Sequence, residues 1–169
     1  MILSSVQNGF KRASPLVWLM ARVFLGLVFA YAGFSKLMEP MENFRGAIAG
    51  YRIIPYFLVP WIAITIPWIE FIFGMFAILG YVTRTSAFVL GLLSFGFLAL
   101  MGLSKLFLGS LPASCGCFGQ GSFIQLTVGQ DVLLNCFNFM LSVKLGSLKT
   151  HFLSLDTLLR KEGRLRLPP

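Results

Sequence analysis

Two cysteines one residue apart, Cys115 and Cys117, are the side chains of this sequence best suited to chemistry. They lie in Ser114-Cys115-Gly116-Cys117-Phe118-Gly119, between two long apolar runs. The thiolate is the form that attacks a disulfide, so a reactive cysteine needs exposure and nearby positive charge or oriented amides. Gly116, Gly119 and Gly121 leave backbone N–H groups free to turn toward sulfur, and Lys36 and Lys105 end apolar runs at the same face. A disulfide closed across a single residue makes a small, strained ring that is readily reduced, which suits a shuttle. Two other readings stay open. A structural disulfide here would remove almost no chain entropy. Two thiolates also suit zinc or copper, but the single histidine, His151, is expected on the opposite side of the molecule, so no metal site is predicted. Cys136 reads as a small core residue of a helix.

A second group of chemical residues lies inside the apolar runs. Arg22 and Glu70 are expensive there, and an ionisable residue in a membrane normally faces the bundle interior with a partner. Their depths on consecutive antiparallel helices are similar, so the simplest expectation is an Arg22–Glu70 ion pair. Arg22, Gly26, Gly33 and Lys36 share one side of their helix. Ala63, Pro67, Glu70, Gly74 and Ala77 share one side of the next. Small residues on both faces allow close approach of the backbones. Such a pair either fixes helix register or, together with Lys36, forms the polar floor of a pocket for a quinone or a substrate. Lys36 is expected to snorkel outward from the end of its helix. Asp131 is a further partner for it if the first and fourth helices adjoin.

The elements that must position these residues are set by composition. Of 169 residues, 57% are hydrophobic and 12% charged, with mean hydropathy +0.82. A soluble domain needs about twice that charged fraction, so the chain is an integral membrane protein. Fourteen Lys and Arg face six acids, but the cations gather near the termini, which argues for membrane anchoring and against nucleic acid. Four apolar runs, about 16–37, 58–79, 86–108 and 128–146, are close to the roughly 20 residues needed to cross a bilayer. Without the alternation of barrel strands, they are helices.

The predicted fold class is therefore all-α: a four-transmembrane-helix bundle over residues 1–148, with a basic amphipathic cytoplasmic tail over 149–169. A short amphipathic outer interfacial helix is expected between Pro40 and Pro55, where Phe44, Ile48 and Tyr51 recur at helical spacing. In the tail Phe152, Leu155, Leu158 and Leu159 alternate with His151, Arg160 and Lys161, as an anchor on anionic lipid would. Lys11, Arg12, Arg84, Lys149, Arg160, Lys161, Arg164 and Arg166 fall on one side of such a bundle. The positive-inside rule then puts both termini in the cytoplasm and Cys115–Cys117 outside, where disulfides persist. A cleaved signal peptide ending at Ala30-Tyr31-Ala32 is disfavoured by Arg22 in its core and by apolar sequence beyond the site.

Taken in order, Arg22…Gly26…Gly33-Phe34-Ser35-Lys36-Leu37, Phe44…Tyr51…Ile54-Pro55, Pro67…Glu70…Gly74 and Cys115-Gly116-Cys117-Phe118-Gly119 resemble the MauE/DoxX-type redox-associated membrane proteins. The resemblance runs from about Ala21 to Leu145. It implies a four-helix bundle in a bacterial cytoplasmic (inner) membrane. It also implies association with thiol redox, with disulfide maturation of an exported partner, or with a quinone-linked oxidoreductase. At fold level the arrangement is similar to DsbB-type and vitamin K epoxide reductase-type enzymes. Two functions follow as expectations. In one, Cys115 and Cys117 are catalytic, exchanging electrons between an exported thiol/disulfide protein and a quinone or membrane redox complex. In the other, the chain is a non-catalytic structural or assembly subunit of such a complex.

Overall fold

The structure, a computed structural model, describes residues 15–109 and 127–147. Cys115, Cys117 and their glycines, the basic residues before the first helix, and the tail over 149–169 lie outside the described residues. Five helices follow in chain order: α1 Pro15–Met38, α2 Met41–Gly50, α3 Val59–Leu79, α4 Thr83–Leu108 and α5 Val128–Ser147. The described residues form no strand. Each predicted apolar run is a helix, with ends within about one turn of those expected.

Local sequence explains where the helices stop. Pro40 disfavours helical geometry at Glu39 and ends α1, and Glu42 then places a negative charge in the first turn of α2. Pro60 lies in the first turn of α3, where its missing N–H costs nothing. At the far end of α3, Gly80 takes φ 71° and caps the helix. The Gly80 N–H donates to Ala77 O, and the Tyr81 N–H donates to Phe76 O at 3.0 Å. The Tyr81 and Phe76 rings meet edge to face at 5.4 Å. This is a Schellman motif with its apolar clasp, and it turns the chain directly into α4.

The helices pack as two close pairs, α1 with α3 and α4 with α5. The first pair meets through small residues, as expected. A Cβ at Gly33 would lie 2.6 Å from Phe71 N, one at Gly26 2.7 Å from Gly74 O, and one at Gly74 2.5 Å from Ala30 N. Only bare Cα atoms permit that approach. The buried side of α3 is Val59, Ala63, Pro67, Glu70, Gly74 and Ala77, the face read from sequence. Leu25, Phe29, Ala77, Ala87, Leu90 and Leu145 form an apolar layer across α1, α3, α4 and α5. At the other end of the bundle α2 lies across the helix ends, burying Phe44, Ala47 and Ile48. Phe44 and Ile48 pack on Val59 and Ala63 of α3, and Tyr51 packs with Met101 of α4.

Among the described residues, three helices, α1, α3 and α4, are long and apolar enough to cross a membrane. Their outward faces carry large apolar side chains such as Trp61, Trp68, Phe88 and Leu92, the inverse of a soluble bundle. The chain is thus an all-helical integral membrane protein. In α5, Asp131, Asn135, Asn138 and Ser142 are all buried and recur at helical spacing, so its polar side faces the bundle.

Candidate polar core and cysteine site

Glu70 is met by Lys36, not by Arg22. The Lys36 ammonium donates to both carboxylate oxygens, at 2.8 Å to Oε1 and 2.7 Å to Oε2, and both side chains are fully enclosed. The reason is register. With Gly33 against Pro67 and Phe71, and Gly26 against Gly74 and Ile78, Glu70 lies level with Gly33. Arg22 is three turns away, about 16 Å along the helix. Helix side chains lean toward the N-terminus, so Lys36 reaches back from the turn beyond Gly33 and lands on Glu70. It therefore does not snorkel outward. Nor does it pair with Asp131, whose buried Oδ1 has no hydrogen-bond partner.

Aromatic rings close the ion pair. Phe44 from α2 and Phe97 from α4 each present a ring 5.1 Å from Lys36 Nζ, a distance at which a ring quadrupole attracts a cation. A lysine between a carboxylate and two rings is the sort of buried charge that a low-dielectric interior can hold. Beside Glu70 is a cavity of about 20 Å³, bordered by Asn135 and Asn138 of α5 and by Phe29 and Phe97. It has room for a single water and none for a quinone ring. A far larger groove of about 730 Å³ runs between α4 and α5, from Phe95 and Phe139 to Arg84 and Ser147. It opens at the end of the bundle opposite α2. Among the described residues, Arg22, Lys36 and Glu70 therefore do not come together as one quinone pocket. Arg22 is buried near the α3–α4 turn.

Cys115 and Cys117 belong to the segment whose described ends are Gly109 and Thr127. Gly109 closes α4 with φ 66° and donates to Lys105 O. Thr127 precedes α5, and its N–H and hydroxyl group both meet Gln130 Oε1 at 3.0 Å. Both ends lie at the α2 end of the bundle, the end that holds the Lys36–Glu70 pair. Lys105 is exposed there, while Lys36 is committed to Glu70. Cys136 is exposed on α5, contrary to the core role expected of it, because Asn135 and Asn138 take the inward positions on either side.

The family model described as "Methylamine utilisation protein MauE" matches residues 14–147, which takes in all five helices. The chain belongs to the MauE family. This MauE-family chain is 28% identical over 107 residues to the methylamine utilization protein MauE of Paracoccus denitrificans, covering 63% of the chain and 56% of the relative. It is 30% identical over 112 residues to that of Methylorubrum extorquens, covering 64% and 58%. Against the Methylophilus methylotrophus protein it is 39% identical over 56 residues, covering 33% and 29%. The matches to the first two thus span little more than half the relatives' length. No solved structure matches it.

Sequence reasoning missed the buried stripe on α5. Its signal was present as Asp131, Asn135, Asn138 and Ser142 at helical spacing within an otherwise apolar run, a pattern that a search for apolar periodicity passes over.

Proposed function

We propose that this protein is a membrane thiol–disulfide exchanger of the bacterial cytoplasmic membrane. In this reading α5 is the fourth span, both termini are cytoplasmic, and the cysteine segment faces outward. The oxidised Cys115–Cys117 pair accepts two electrons and two protons from an exported dithiol, which leaves as a disulfide. The reduced pair then passes two electrons on and releases two protons as its S–S bond re-forms. The electron sink is a quinone or a membrane redox complex that meets the cysteine segment itself, since the cavity beside Glu70 admits only water. The names of the relatives point to methylamine utilisation as the process served.

What supports this reading is the Cys-Gly-Cys sequence between Gly109 and Thr127, two residues that lie at the end of the bundle holding α2 and the Lys36–Glu70 pair. Anchor points on a rigid bundle end are what a reactive pair needs to be presented to a partner protein. The closed polar core favours a second reading, in which the chain is a structural or assembly subunit of a membrane redox complex and the ion pair only fixes helix register.

Trapping separates the two. If the pair exchanges with a partner, Cys115→Ser or Cys117→Ser leaves one thiol able to form a mixed disulfide that cannot resolve. One of these variants, expressed in the native host, is expected to yield a covalent adduct that reduction abolishes. No adduct from either, with full function of the double Ser variant, would select the subunit reading.

A further inference from the structure

Among the described residues, the buried side-chain atoms without a hydrogen-bond partner include Ser94 Oγ on α4 and Asp131 Oδ1, Asn138 Oδ1 and Ser142 Oγ on α5. They are not scattered. Asp131, Asn135, Asn138 and Ser142 form one face of α5, and Ser142 lies against Gly91, one turn of α4 from Ser94. The Asn135 amide donates to the Asp131 backbone carbonyl at 3.0 Å, which ties the first two positions together. A row of orphaned polar atoms inside a membrane bundle is unfavourable when dry, and buried water is the usual remedy. The cavity of about 20 Å³ lies where a water would serve, between Glu70, Asn135 and Asn138. On this measure a water occupies about 10–15 Å³. Asn138 is only 2% exposed, so its free acceptor is directed into the protein.

The row has two different ends. Asp131 is one turn from the exposed Thr127, at the α2 end. At the other end the polar residues give way to the apolar layer of Leu25, Ala77, Leu90 and Leu145, with Phe29 at its edge against the cavity. Leu25 and Leu90 are 0% exposed.

We propose that the cavity binds water and that this water, with the polar face of α5, forms a proton well. The well runs from Asp131 at the α2 end to Glu70 and Asn138, and stops at the dry leucine layer. Its ligand is water and, in transit, its protonated form, with the Asp131 carboxylate, whose Oδ1 has no partner, as the group that receives the proton, while Glu70 stays paired with Lys36. The leucine layer prevents the well from becoming a leak. None of this depends on Cys115 or Cys117, so it stands or falls apart from the thiol reading.

X-ray radiolytic footprinting of the full chain in lipid vesicles tests the water site, because radicals formed from bound water oxidise the side chains beside it. Phe29 and Phe97 border the cavity, whereas Phe73 packs on the dry layer. Oxidation of the first two is expected to run several-fold faster than that of Phe73. Asn138→Leu, which fills the cavity and removes the free acceptor, is expected to bring the Phe29 rate down to that of Phe73. A Phe29 rate in the native chain no higher than that of Phe73 would overturn the water site, whether or not the variant folds. The well is tested by a trapped pH dye after a pH step across the vesicle membrane. Vesicles with the native chain should hold the step. Leu90→Asn, which breaches the dry layer, should dissipate it several-fold faster, and Leu92→Asn on the exposed face should not. Equal retention by the native and correctly folded Leu90→Asn chains would overturn the well.

Discussion

Both oxygens of Glu70 rest on one lysine ammonium, and two rings close over the nitrogen on its other sides. Removing either charge leaves the other buried without its partner. Lys36→Ala or Glu70→Ala alone is therefore expected to cost about 3–5 kcal/mol. The double variant should cost clearly less than their sum, as read from thermal unfolding in detergent. Arg22 gives the contrast. Separated from Glu70 by about three helical turns, it should show additive behaviour with Glu70 to within about 0.5 kcal/mol. Strong coupling between Arg22 and Glu70, with none between Lys36 and Glu70, would contradict the observed register.

At the scale of elements, the α1–α3 seam sets that register. Three glycines put backbone against backbone, and the atoms a new Cβ would strike are main-chain atoms that cannot rotate away. Gly33→Ala and Gly74→Ala are each expected to destabilise by about 1–3 kcal/mol through forced separation of the helices. They should also loosen the Lys36–Glu70 pair, which depends on the same alignment. Gly46 of α2 has open space where its Cβ would lie. Gly46→Ala should therefore stabilise by about 0.5–1 kcal/mol, the ordinary gain for alanine in a helix. Melting curves of the three variants in one detergent check both signs at once.

For the whole molecule, the turn at Gly80-Tyr81-Val82 lies at one end of the bundle, and Gly109 and Thr127 lie at the other. Arg84 is exposed at the first of these ends, and the cationic terminal segments attach there too, through α1 and α5. The positive-inside rule assigns that end to the cytoplasm. A membrane-impermeant maleimide applied to intact cells after mild reduction, in a Cys136→Ser background, is expected to label Cys115 or Cys117. Labelling that appears only after lysis would invert the bundle.

The sequence by itself determined the helices, because each is specified locally. A run of apolar residues of membrane length, a proline at Glu39-Pro40 and a glycine at Gly80 are enough to start and stop a helix whatever it packs against. The inward faces of α2 and α3 were legible for the same reason, since spacing alone puts Phe44 with Ile48 and Glu70 with Gly74 on one side. Partnerships between helices were not. Depth along two helices is known from sequence only to within a turn or two, and the two chain ends need not start level, so the separation of Arg22 from Glu70 by about three turns was hidden. Contact of Gly33 with Pro67 and Phe71 fixes the alignment, and the backward lean of a helical side chain then delivers Lys36. The inward turn of α5 also needed the tertiary structure. Asp131, Asn135, Asn138 and Ser142 mark a polar face in the sequence, but only packing against α4 and Glu70 shows that this face is buried while Cys136 is exposed.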